Sequence, residues 1–225
     1  MAAGNTLLSM VVYVSLCLLL SVLAAFLLDH FNHRHPAVSL LVLLALIVPY
    51  IIPSGVTAAW LESIFGASGV INTLIRRNGG NPVNFFSSAF TLLMLLVLYL
   101  WKYSGLNILV LTMACRQIPR DSMESARIEG ANEWIILRRI VLPQVKQHLL
   151  FTFLLSVMHF FRLSGEIYIL YGSYPPVQAY FLQNYITNTM QKMEFYKSVS
   201  ASLIFLLLAV GIACFYLRRQ QKMGQ

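Results

Sequence analysis

The sequence predicts an all-α integral membrane protein, with five membrane-crossing helices and one charged cytoplasmic loop in a single domain, 1–225. Three observations carry that expectation. Of 225 residues, 58% are hydrophobic and 11% charged, where soluble domains carry about 25% charged residues. So few charges cannot clothe a soluble surface, and most of it must face lipid or other subunits. Five apolar stretches reach the roughly 20 residues that a helix rising about 1.5 Å per residue needs to cross a bilayer. Between the third and fourth stretches lies the most charged segment of the chain, 119–143.

The first span, 7–28, carries no charge. Its length, with no small-residue cleavage site after it, argues against a removable signal peptide. The stretch DHFNHRH at 29–35 holds three His and an Asp; a short inner loop of polar turn residues is favoured over a metal site, and no metal is assigned. The second span, about 38–60, is interrupted by Pro49 and Pro53. An outer segment, 61–85, follows, with the turn signal RRNGGNP at 76–82. The third span, about 86–111, contains Lys102, and the fourth, about 149–171, contains Arg162 and Glu166. A second outer segment, 172–196, is rich in Gly, Asn, Pro and aromatics. The fifth span covers 199–217. Trp60 and Trp101 read as interface-belt or packing residues. Cys17, Cys115 and Cys214 lie far apart in or near apolar runs and read as small core residues.

Loop charge orients these spans. Cytoplasmic loops carry the excess of Lys and Arg. The loops 29–37 and 112–146 with the tail 218–225 hold ten of the sixteen Lys and Arg, the opposite loops hold four, and Lys102 and Arg162 lie within spans. The C-terminus and the charged segment are therefore expected in the cytoplasm and the N-terminus outside. The net charge of +8 is a topology signal, and nucleic acid is not expected as a partner.

The charged segment reads as two short helices joined by a tight turn. Asp121 can cap the first, with Glu124 closing a capping box. Gly130 can take a positive φ and end it. Asn132 can cap the second, with Glu133 in its first turn and Arg138 and Arg139 toward its end. Leu142-Pro143 then stops that helix before the fourth span. An amphipathic helix lying on the membrane surface is the plainer alternative.

Within this segment Glu124-Ser125-Ala126, Gly130, Ile140 and Leu142-Pro143 fit the pattern E-A-A-x3-G-x9-I-x-L-P without a gap. The chain thereby resembles the permease subunits of binding-protein-dependent ABC importers, whose EAA loop has this pattern. The run WKYSGLN…CRQIPRDSMESARIEGA at 101–131 is similar to the carbohydrate-uptake branch, of maltose and glycerol-phosphate permease type. Ser125 for the middle Ala and Glu129 for an Asp are mild departures. A further N-terminal span usual in that branch is not seen in the sequence.

The resemblance implies a five-helix permease core in a bacterial inner membrane with a MetI-like fold. It implies coupling to a cytoplasmic ATPase through Glu124, Ser125, Ala126, Gly130, Ala131, Leu142 and Pro143, and transport by alternating access. Its implied partners are a second homologous permease subunit, a dimer of ABC ATPase subunits and an extracytoplasmic solute-binding protein. ATP and Mg would be bound by the ATPase subunits, since this chain has no G-x-x-x-x-G-K-[ST] phosphate loop.

Ionisable groups inside spans are candidates for function. Lys102 shares one helical face with Tyr99, Tyr103 and Leu106. His159, Arg162 and Glu166 share a face of the fourth span, where Arg162 and Glu166 can pair, while Lys102 of the third span can snorkel. Matched to the maltose-type permease, Tyr99, Lys102, Tyr103, Leu106, Ser156, His159, Phe160 and Leu163 fall at the positions of a mid-membrane sugar site. Lys102 and His159 there suggest a sugar bearing carboxylate or phosphate. A non-sugar solute such as a polyamine is the nearer alternative. An intramembrane enzyme using His159 and Glu166, or a structural membrane protein, is more remote; no catalytic set stands at usable spacing.

Overall fold

The structure, a computed structural model, describes residues 1–32, 34–87 and 89–223; in the last helix it describes the side chains of 195–204, 206, 207, 210, 211 and 218. Every described element is helical. Three long helices form the body: α1 (Ala2–Asn32), α5 (Thr91–Arg116) and α9 (Lys146–Arg162). Each packs against the other two, and α2 (Pro36–Ile51) lies on α1 and α5. Their shared core holds Tyr13 and Cys17 of α1, Leu95, Leu98, Tyr99 and Tyr103 of α5, and Val157 and Phe160 of α9.

In lipid no water satisfies a stray hydroxyl, so polar side chains must bond within the protein. Several turn back onto their own helix. Thr152 Oγ1 donates to the His148 carbonyl at 3.0 Å and Ser202 Oγ to that of Ser198 at 2.8 Å. Helices also approach closely where a side chain is missing. A Cβ built on Gly105 would lie 1.8 Å from the Leu46 carbonyl oxygen, so the backbone of α2 runs directly against α5 at that glycine.

Among the described residues, four stretches are long and apolar enough to cross a membrane: Ala2–Asn32, Ser54–Arg77, Thr91–Arg116 and Lys146–Tyr171. Pro36–Ile51 is a shorter apolar helix. The span expected at 38–60 is not one helix. Pro49 sits inside α2 and gives no N–H to the ladder, and Pro53 holds Ile52 extended at φ −68°, ψ 128°. The chain restarts at α3 (Ser54–Phe65), which is followed by α4 (Val70–Arg77). The expected fifth span lies within α12 (Phe195–Met223), where Cys214 and many other side chains fall outside those described.

The segment 61–85 is pinned by one buried side chain. Asn72 donates to the carbonyls of Gly66 and Val83, both at 2.9 Å, and accepts from the Val83 amide at 2.7 Å. The RRNGGNP turn closes with Gly79 at φ 77° and the Gly80 amide bonded back to the Ile75 carbonyl at 2.9 Å. The segment 172–196, with α11 (Leu182–Gln191), is tied to the start of α1: the Leu182 amide donates to Thr6 Oγ1 at 2.8 Å. Of the His-rich stretch, His33 lies outside the described residues, and among those described no three His, Cys, Asp or Glu could hold a metal ion.

Candidate functional site

The charged segment folds as a helix–turn–helix. The first helix, α6 (Arg120–Ile128), follows Pro119 and has no side-chain cap. The expected Asp121–Glu124 capping box does not form. Pro119 ends the extended approach, so Asp121 falls inside the first turn, where it can only favour the helix dipole. Glu124 instead lines a cleft with Asp29 and His30 of α1 and with Arg120 and Arg127.

The turn is set by the motif's small residues. Gly130 has φ 87°, and its amide donates to the Arg127 carbonyl at 3.0 Å, while the Ala131 amide donates to Ala126 at 2.9 Å. This pairing is a Schellman motif, with a left-handed residue after the helix end. The spacing from Ala126 to Gly130 and Ala131 is what its two hydrogen bonds need. Asn132 then caps α7 (Glu133–Ile136), accepting from the Ile135 amide at 2.9 Å. Arg127 spans the turn to Glu133 through two bonds, at 2.9 and 3.3 Å. That guanidinium holds the Glu133 carboxyl below its usual range. Because the folded value is depressed, the pair's contribution is present above the unfolded carboxylate pKa and is lost as pH falls through the folded value. An NMR titration of the Glu133 side-chain carbonyl should therefore show a midpoint below that of a free Glu. A midpoint at or above it would mean the pair does not persist.

Leu142-Pro143 does not end the second helix. A π-turn over Leu137–Val141 comes first, with the Leu142 amide bonded to the Leu137 carbonyl. Pro143 then sits in the first turn of α8 (Leu142–Gln144), and the chain runs on into α9 past a bend at Val145. A π-turn absorbs the register in which the proline ring and its missing N–H would otherwise break the ladder.

This element has its own core. Ile118, Met123, Ile136, Leu137, Val141 and Val145 pack with Ala114 and Cys115 of α5, and Ala126, Ala131, Ile140 and Leu142 close against them. Glu124, Ser125, Gly130 and Pro143 face outward. So do Ile128, 88% exposed, and Trp134, 61% exposed, on either side of the turn. The sequence reading passed over these two. Their signal was an apolar side chain in a charged loop, off the spacing of the buried positions.

The mid-span residues form a second cluster. Lys102 and Glu166 are both buried and pair at 2.5 Å between Nζ and Oε1. Glu166 thus takes Lys102, and the expected Arg162–Glu166 pair does not form. The reason is a break: α9 ends at Arg162, and α10 (Ser164–Tyr171) begins after Leu163, which turns the two residues apart. Lys102 does not snorkel; it also reaches Thr57 Oγ1 of α3 at 3.3 Å. His159 stacks on Tyr103 with centroids 4.7 Å apart, and Tyr50 of α2 meets His159 edge-on at 5.3 Å. Tyr99 Oη donates to the Ser156 carbonyl at 2.7 Å, and Asn107 Nδ2 to Ser156 Oγ at 2.7 Å.

Eight of the ten expected pathway residues are therefore buried inside the chain: Tyr99, Lys102, Tyr103, Ser156, His159, Phe160, Leu163 and Glu166. Leu106 is half-buried and Arg162 exposed. Tyr50, Thr57 and Asn107 belong to the cluster and were not foreseen, because Tyr50 and Thr57 come from other helices. Trp60 and Trp101 stack on each other, centroids 4.5 Å apart and planes 10° from parallel.

Residues 17–224 match the profile of a family described as the binding-protein-dependent transport system inner membrane component. The chain is 30% identical over 230 residues to a xylose/arabinose import permease protein of Haloferax volcanii, covering 99% of this chain and 70% of that one. It is 24% identical over 170 residues to a lactose transport system permease protein of Rhizobium radiobacter, covering 72% of this chain and 57% of the relative. With a trehalose/maltose transport system permease protein of Thermococcus litoralis it shares 28% over 131 residues, or 57% of this chain and 44% of the relative. Among solved structures, a chain of a bacterial alginate ABC transporter, in complex with an alginate pentasaccharide-bound periplasmic protein, superposes with a TM-score of 0.84. The overlay covers 99% of this chain and 78% of that chain at 20% identity, a likeness of fold.

Proposed function

The chain belongs to the family of binding-protein-dependent transport system inner membrane components, and on that premise we propose that it forms half of the translocation path of an ATP-driven sugar or oligosaccharide importer. The family's members are transport components, not enzymes, so ATP hydrolysis is the work of a separate ATPase dimer with its own ATP and Mg. A second permease subunit completes the path, and an extracytoplasmic binding protein delivers the solute. In this reading five spans form the core. The segment 119–143 and the C-terminus face the cytoplasm, and the N-terminus faces outward.

The observation that carries the reading is the helix–turn–helix at Arg120–Ile136. Its inner face is locked onto α5 by a core of its own, and its outer face presents Glu124, Ser125, Gly130, Ile128 and Trp134. Apolar groups this exposed in an otherwise charged loop suit a protein groove, here that of the ATPase. The near-continuous path through the π-turn and Pro143 into α9 would carry a push on the turn into the membrane. Such rigid-body switching is how packed helices transmit a distant change. The mid-span cluster is then the place where solute passes. It sits where two helices break, at Ile52–Pro53 and at Leu163, and broken helices are common at transport sites. Glu166 Oε2 and His159 Nδ1 are buried there without a hydrogen-bond partner among the described residues. In this reading they meet sugar hydroxyls when the path opens.

The Lys102–Glu166 pair bears on the solute. Lys102 is neutralised within the chain, so Lys102 and His159 do not by themselves argue for a carboxylate or phosphate.

Gly130→Val tests the coupling role. Among the described residues beyond its chain neighbours, no atom lies within 4 Å of a Cβ at Gly130, but a side chain at φ 87° is strained by about 1–2 kcal/mol. Gly130→Val and Glu124→Ala should leave the spans folded and ATP hydrolysis measurable, while solute uptake per ATP falls about tenfold. Normal coupled uptake in both variants would refute the coupling role.

A further inference from the structure

Arg162 is the one expected pathway residue that the chain leaves exposed. It sits deep in its span. It is nine residues before Tyr171, and at a rise of about 1.5 Å each it lies roughly 13 Å in from that end of the Lys146–Tyr171 stretch. Its carboxylate neighbour in sequence, Glu166, is taken by Lys102. No carboxylate among the described residues pairs with Arg162.

The surface around it is apolar. Phe151 and Met158 are exposed one after the other on the same stripe of α9, and Ile169 of α10 is exposed beyond the break. A guanidinium in the middle of such a stripe is costly against hydrocarbon, and charged groups at this depth face water-filled paths or partners. Beside it lies the buried aromatic cluster. His159 is one turn earlier on the same helix and stacks on Tyr103, and half-buried Tyr50 meets both rings edge-on. A free cation beside an aromatic rim suits one ligand class. The rim can take the apolar face of a sugar ring, and the planar fork of Arg can take paired oxygens of a carboxylate or phosphate.

We infer that Arg162 is a specificity-determining residue of the path and that the solute it selects is an acidic saccharide. The inference rests on the permease reading above. Lys102, paired and buried, is then a positioning residue that holds α5 to α10 beside the path, and a cationic solute such as a polyamine is disfavoured by the unpaired Arg162.

The test uses the whole importer in proteoliposomes, with both permease subunits, the ATPase dimer and the binding protein. The probes are a labelled hexuronate oligosaccharide, a sugar phosphate and a neutral oligosaccharide of matched length. Wild type should take up one of the acidic probes, and which one distinguishes carboxylate from phosphate. Arg162→Gln should lower that uptake about tenfold, the scale of a charge-assisted hydrogen bond, and leave uptake of any neutral probe within about twofold. Arg162→Lys should recover part of it. Uptake of the neutral probe alone by wild type, or an equal fall for acidic and neutral probes, overturns the inference and leaves the permease reading standing. Loss of subunit assembly in both Arg162 variants also overturns it, since Arg162 would then serve an interface. Failure of wild type to import any saccharide removes the sugar reading itself and the inference with it.

Discussion

Lys102→Met is expected to destabilise the folded chain by about 3–5 kcal/mol, the scale of removing one partner from a buried ion pair. The cost comes from Glu166, which keeps a buried carboxylate with one oxygen already lacking a hydrogen-bond partner among the described residues. Glu166→Leu should do comparable damage by stranding the ammonium. The double variant Lys102→Met, Glu166→Leu removes both charges and fills the space with apolar atoms. It should recover most of the loss, as apolar replacements of buried pairs commonly do. Thermal unfolding of the detergent-solubilised protein by size-exclusion chromatography gives the three comparisons of a double-mutant cycle. Single variants that melt with wild type would mean that the pair contributes nothing to the fold. Uptake by a stable double variant then tells whether the pair serves the path as well as the packing.

Gly105→Ala should be nearly as severe, although it adds a single methyl group. The new Cβ would lie 1.8 Å from the Leu46 carbonyl oxygen, 2.6 Å from its carbon and 3.2 Å from the Ile47 nitrogen. All three are backbone atoms, so no side chain can swing away, and α2 must lift off α5. Overpacking a core costs about 1–3 kcal/mol when side chains can adjust, and here they cannot. Gly55→Ala is the control. Gly55 lies inside α3, and among the described residues outside its own helical turn nothing lies within 4 Å of a Cβ. Alanine there should be neutral or stabilising by up to about 1 kcal/mol through helix propensity. Equal yields and melting temperatures for the two variants would mean that α2 does not rest on α5 at Gly105.

Much of the charged helix–turn–helix was legible in the sequence because its determinants are local. The left-handed Gly130, the Asn132 cap and the apolar residues facing α5 all follow from neighbours within about five positions. The one local misreading was the helix ends. Asp121 looked like a cap and Leu142-Pro143 like a stop, but Pro119 had already set the start and a π-turn carried the chain through the proline. Both depend on the exact register at which a helix begins, which side-chain chemistry constrains only loosely.

What the sequence determined alone was the place of the long apolar stretches that form α1, α5 and α9, the charged loop between the last two and the small-residue spacing of its turn. Those are properties of consecutive residues and of their transfer from water to lipid. What only the tertiary structure decided was the partner of each polar group inside the membrane. Glu166 could reach Arg162 four residues away on an unbroken helix, and instead it meets Lys102, 64 residues away. Helix breaks at Leu163 and at Ile52–Pro53 turn side chains onto faces that a steady period cannot foretell. In a medium without water a charge must find a partner wherever the packing brings one, and the packing is a property of the whole bundle. The same packing left Arg162 outside, which makes it the residue to test for solute charge.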